Sequence, residues 1–132
     1  MTPHMPTGTT TRRILRMALA RGGLTINPYT GEEPDEGYSV SAHSDREERW
    51  HYSQVSPSIL HGYFRHNVDL LGNGSGSYFG VWRDGDLLYL DVLLVVPSLP
   101  LALVLAKEHN TQAIYDLKNR EVIWVKGEGD AS

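Results

Sequence analysis

Proton-transfer and metal chemistry would fall first to the six histidines of this 132-residue chain, His4, His43, His51, His61, His66 and His109. His61 and His66 are predicted to share a helix, but five residues at 100° each set them about 140° apart around its axis. Two histidines that converge on one ion from a helix need a spacing of three or four. The pair therefore predicts no shared metal, and each ring is left as a lone base or a surface group. On the same segment His61, Arg65 and Asp69 follow one another in steps of four. That spacing suits a His–Asp couple beside an anion-binding arginine. It equally suits a solvated helix face whose i,i+4 contacts contribute about 0.2–0.5 kcal/mol each. Two further carboxylates interrupt apolar strand-like runs, Asp91 in Leu87–Val96 and Asp116 in Ala113–Leu117. A buried carboxylate needs a partner or a wet face, so a meeting of Asp91 and Asp116 near Arg83, Tyr89 or His109 would define a pocket.

Other chemistry is excluded more firmly. The chain has no cysteine, which removes thiol catalysis, iron–sulfur clusters and thiolate zinc sites. The loop Gly72-Asn73-Gly74-Ser75-Gly76-Ser77 has serine where a dinucleotide fingerprint needs its third glycine, and it leads into a strand rather than a helix. Neither Ser75 nor Ser77 has the flanking glycines of a nucleophile elbow. No metal and no cofactor is expected.

Charge is uneven along the chain. The net charge is −4, yet residues 1–25 hold Arg12, Arg13, Arg16 and Arg21 without an acid, whereas 32–48 carry Glu32, Glu33, Asp35, Glu36, Asp45, Glu47 and Glu48 against Arg46. An acidic total argues against a dedicated nucleic-acid binder. The arginines of the first segment are the exception and could touch nucleic acid, an acidic protein, or the acidic stretch of the chain itself. The most apolar stretch, Leu87 to Ala106, is interrupted by Asp91, Pro97, Ser98 and Pro100 and predicts a strand and a helix rather than a membrane span. A cytoplasmic protein is expected.

The elements that must position these residues are predicted as follows. Residues 1–8 form a loose tail. A helix runs from about Thr10 to Arg21, capped by Thr9, Thr10 or Thr11 and stopped at Gly22-Gly23. A turn-rich linker covers 24–36. Strands at Gly37–His43 and Trp50–Gln54 form a hairpin across the charged turn Asp45–Arg49. Ser56 and Pro57 open a second helix that continues to Leu71. Ser77–Arg83 and Asp86–Val96 form a hairpin around Asp84-Gly85. Ser98 caps a third helix, Leu99–His109, apolar around most of its girth and expected to be largely buried. Two strands, Gln112–Leu117 and Glu121–Val125, flank a turn in which Asn119 takes the left-handed conformation. A loose tail closes the chain from about residue 127. The order α-β-β-α-β-β-α-β-β predicts an α+β domain over 37–126, a mainly antiparallel sheet of about four to six strands packed with two or three helices. The third helix could serve as a crossover that makes one strand pair parallel.

The segments Gly37-Tyr38-Ser39-Val40-Ser41, Asn67-Val68-Asp69-Leu70-Leu71, Gly80-Val81-Trp82, Tyr89-Leu90-Asp91-Val92 and His109–Leu117 resemble small proteins found in bacteriophages and mobile elements. The resemblance implies an accessory protein of such an element and carries over no catalytic residue.

The sequence thus favours a non-enzymatic module that docks on a host or phage protein or on itself. Binding would use Arg12, Arg13 and Arg16 or the aromatic residues Trp50, Tyr63 and Trp82, types enriched at interfaces. The alternative is a small hydrolase or transferase working through His61, Arg65, Asp69, Asp91 or Asp116. That alternative requires His61 or His66 within hydrogen-bond reach of a carboxylate inside a concave site.

Overall fold

The computed structural model describes residues 5–72 and 75–125. Helix α1 (Gly8–Arg21) begins earlier than the threonine run suggests, because Thr7 is its cap and accepts from the Thr10 N–H at 3.1 Å. It ends at Gly22, whose φ of 79° is a left-handed conformation suited to glycine. The expected linker after it starts instead with a strand, β1 (Gly23–Ile26), in which Leu24 and Ile26 turn inward. Three residues between a glycine pair and Asn-Pro are too few for their alternation to stand out. The closing tail from Lys126 and the first four residues lie outside the described residues.

Strands β2 (Tyr38–Ser41) and β3 (Glu48–His51) do not form a hairpin. Both lie antiparallel to the same long strand, β5 (Leu87–Val96), so they run in the same direction and cannot pair as neighbours across a turn. β3 takes positions 87–90 of β5 and β2 takes 93–96, with a 3-10 turn at Ser44–Arg46 between them. Ten residues of β5 accommodate two four-residue partners end to end.

The second helix is two pieces, α2 (Pro57–His66) and α3 (Val68–Leu71), broken at Asn67. The Asn67 amide is buried and donates back to the Tyr63 carbonyl at 2.9 Å, so that side chain occupies a backbone acceptor of the helix. Ser56 caps α2 and Pro57 fills its first turn as expected. β4 (Ser77–Asp84) and β5 form the expected hairpin with its turn one residue later: Asp84 still pairs with Leu87, and the two turn residues are Gly85 and Asp86, with Gly85 at φ 59°. Ser98 caps α4 (Leu99–Glu108), which leads to the last strands, β6 (Ala113–Asp116) and β7 (Glu121–Trp124). In the turn between them it is Arg120 that adopts positive φ, not Asn119. Asn119 is held instead by Asp116, which accepts from both its N–H and its side-chain amide.

The strand order is β1-β4-β5-β2-β6-β7, with β3 alongside β5, and every pairing is antiparallel. The chain is an α+β fold on an antiparallel sheet. α4 carries it from β5 past β2 to β6, so the strands it joins point the same way without touching, and no parallel pair arises.

Opposed residues of an antiparallel pair point to the same face, which lets the registers sort the side chains. Ile26, Phe79 and Val92 share one face with Leu24, Val81 and Leu90, and so do Val40, Leu94 and Ile114. Both apolar clusters lie on that face. The larger joins Ile14, Leu15 and Ala18 of α1 and Leu60, Tyr63 and Phe64 of α2 to β1, β4 and β5. The first helix is therefore part of the same core as the residues from 37 onward. The smaller cluster joins Ala102 and Ala106 of α4 to Val40, Ile114 and Val125. α4 is not largely buried as its composition suggests. Only its two alanines are, and Leu101 and Val104 are 44% and 52% exposed because nothing among the described residues covers its outer side.

Candidate functional site

The other face of the sheet receives no helix among the described residues. The registers arrange its side chains in four successive rows. Gly23, Trp82, Tyr89 and Arg49 form the first, and Thr25, Gly80 and Asp91 the second. Tyr78, Leu93 and Ser41 form the third, and Val95, Ser39, Tyr115 and Val122 the fourth. Trp124 shares this face from β7, two residues beyond Val122.

Each row has a local cause. Trp82 and Tyr89 are directly opposed, and their rings stack with centroids 5.6 Å apart and planes within 2°. The Arg49 guanidinium lies 5.3 Å from the Tyr89 centroid. In the centre Leu93 lies across Gly80 so closely that a Cβ there would sit 2.5 Å from a Leu93 methyl carbon. Glycine at 80 is what lets Leu93 lie flat. Toward β7 the face opens to solvent, with Val122 53% and Trp124 74% exposed. The hydrogen bond from the Val125 N–H to the Gln112 carbonyl fixes the phase of the β6–β7 ladder. Residues 121 and 123 bond inward to β6, so Val122 and Trp124 present their backbone groups along the outer edge.

Asp91 sits where β5 changes partner from β3 to β2. It is 1% exposed. Ser41 Oγ donates to one carboxylate oxygen and the Val92 N–H to the other. Burial outweighs these bonds and pushes its pKa up to about 6, with the charge of Glu47 adding to the rise. Ser41 is fixed in turn by Thr111, whose hydroxyl donates to the Ser41 carbonyl. Asp91 thereby fastens the end of β2 to the middle of β5.

Behind the junction Tyr63 donates to the Arg46 carbonyl at 3.0 Å. Burial first, then the Asp91 charge, raise its pKa. Arg46 grips Asp69 through both terminal nitrogens, at 3.1 and 2.8 Å, and reaches Asn67 Oδ1 at 3.0 Å. The guanidinium holds the Asp69 carboxyl below its ordinary pKa. Asp45, Glu47, Glu48, His66 and Asp69 rim a shallow cleft of about 360 Å³ here.

The sequence candidates separate on this frame. The break at Asn67 takes Asp69 out of the helical row of His61 and Arg65, and Arg46 claims it. Neither His61 nor His66 is hydrogen-bonded to a carboxylate among the described residues. Asp91 and Asp116 do not meet. Asp116 lies opposite Tyr38 on the helix-covered face, where Asn119 lowers its pKa, whereas Asp91 is on the open one. Tyr89 is engaged with Trp82, and Arg83 packs 4.0 Å over the Tyr52 ring. Tyr63 is core, and Trp50 is half-buried against the larger cluster with its indole N–H on Glu48. Trp82 is half-exposed on the open face, and Arg12, Arg13 and Arg16 are exposed on α1. Sequence reasoning passed over Trp124, Val122, Tyr115 and Tyr78. Their alternation on short strands was visible, but which side would lack a helix was not.

No family model, curated protein or solved structure matches this chain.

Proposed function

We propose that this chain is a non-enzymatic protein-binding accessory module that docks a partner on the helix-free face of its sheet. The observation that carries this reading is a face bearing Tyr78, Trp82, Tyr89, Tyr115 and Trp124, with its charge confined to Arg49 and its ion-pair partner Glu47, Asp84 and the buried Asp91. Tyr, Trp and Arg are the types that dominate interface energetics, and charge depletion marks an interface centre. The edge at Val122 and Trp124, which has no partner strand among the described residues, adds backbone groups to which an extended segment could add a strand. The resemblance to phage and mobile-element proteins supports a host or phage protein as the partner. The His/Asp hydrolase reading has less support: His66 shares its cleft with acidic side chains but hydrogen-bonds to none of them among the described residues, and Asp69 is already held by Arg46.

The test is differential capture. The tagged chain is used as bait in lysate from its native host, beside Trp82→Ala and Trp124→Ala on the open face and Val104→Ala on the exposed side of α4. A protein retained by wild type and Val104→Ala but lost by both tryptophan variants supports the reading. A captured set indifferent to both tryptophans overturns it.

A further inference from the structure

We propose that the outward side of α1 binds an acidic segment of a partner protein, at a surface separate from the open sheet face. Arg12, Arg13 and Arg16 stand within about 100° of one another around the helix axis, and all three are exposed. The opposite side of α1 is fixed in the core by Thr11, Ile14, Leu15 and Ala18, so the arginines cannot turn away. The helix contains no acidic residue. Self-neutralisation by the acidic stretch accounts only for Arg21, which pairs with Glu33. Arg12, Arg13 and Arg16 form no ion pair among the described residues. Three planar guanidinium groups within about one turn of helix suit carboxylates, each able to take two parallel N–H bonds.

The surroundings choose between acidic partners. The loop with Glu32, Glu33, Asp35 and Glu36 runs beside the helix. Gly31 lies next to the Arg13 guanidinium, and Glu33 reaches Arg21. A nucleic-acid backbone long enough to follow the helix would bring its phosphates onto those carboxylates, in a molecule already at −4. A short acidic peptide avoids them. Leu19, 40% exposed, stands on the same side one turn beyond Arg16 and offers an apolar contact within the charged patch.

The test is fluorescence anisotropy of the full chain with a labelled 12-residue peptide carrying glutamates around a central leucine. A glutamine version of that peptide and a 12-nucleotide single strand are the comparison probes. The glutamate peptide is expected to bind, to weaken between 50 and 300 mM salt, and to lose affinity roughly tenfold, about twofold per arginine, in the variant Arg12→Gln/Arg13→Gln/Arg16→Gln. A circular-dichroism melt unchanged from wild type certifies the fold of that variant. Trp124→Ala should bind the peptide as wild type does, which separates this surface from the open face. Equal binding of the glutamate and glutamine peptides, an unaffected triple variant, or tighter binding of the single strand than of the peptide would each overturn the proposal.

Discussion

One sheet presents two faces that differ in what fills them. On the covered side Phe79, Val81, Leu88, Leu90 and Val92 are within 1% of full burial and meet two helices. On the other side the intervening residues of the same two strands are Tyr78, Gly80, Trp82, Tyr89, Asp91 and Leu93. There, burial comes from side chains lying on their own sheet: Leu93 over Gly80, Trp82 against Tyr89, Ser41 on Asp91. The contrast teaches where stability and recognition reside. A face closed by helices contributes apolar burial, whereas a face that covers itself leaves its aromatic edges available.

The sharpest way to break that contrast is Phe79→Ala. The Phe79 ring is fully buried, tilted against Tyr63 at 5.6 Å and edge-on to Phe64 at 4.9 Å between centroids. Removing it should cost about 3–5 kcal/mol in a denaturant titration, a large share of the stability of a domain this size. A cost below about 1 kcal/mol would mean that α2 does not close that face as described.

Much of the covered face was legible in the sequence and little of the open one. Ser56-Pro57, Ser98 and Gly22 each act within a few residues, and Asp84-Gly85 marks its hairpin to within one residue, so those boundaries could be read locally. Which strand pairs with which is a long-range matter. Nothing in Tyr38–Ser41 or Glu48–His51 announces that both will share Leu87–Val96, because their alternation is equally satisfied by pairing with each other. Asp91 was recognisable as an anomaly in an apolar run. Its role at a change of strand partner was not, because that role requires knowing that Ser41 stands opposite Leu93, one diagonal away.

Asp91 gives the second test, which concerns the centre of the open face. Its pKa is about 6 in the folded chain and about 4 in an unfolded one. Between those values the folded state holds a proton that the unfolded state has released, so stability falls as pH rises through that window. The fall is about 3 kcal/mol for a shift of about two units. Asp69 and Asp116 are shifted the opposite way. Their stabilisation is complete above the unfolded carboxylate value and is lost only at lower pH, so it does not mask the effect. Asp91→Asn should flatten stability between pH 4 and pH 7 and raise the neutral-pH denaturation midpoint above wild type. A variant as steep as wild type across that window would place the titrating group elsewhere.

The smallest effect is expected at the rim, and it decides whether the open face is open. Trp124 is the most exposed of the large apolar side chains described, and among the described residues its strand is paired on one side only. If nothing of this chain covers it, Trp124→Ala removes surface that water already reaches and should change stability by less than about 0.5 kcal/mol. Its indole fluorescence should also be readily quenched by iodide, whereas Trp50, held against the larger cluster, is shielded. The difference spectrum between wild type and Trp124→Ala isolates that quenched component. A destabilisation above about 1 kcal/mol, or an indole out of reach of iodide, would mean that the face is already occupied, and its aromatic rows would then be core rather than docking surface.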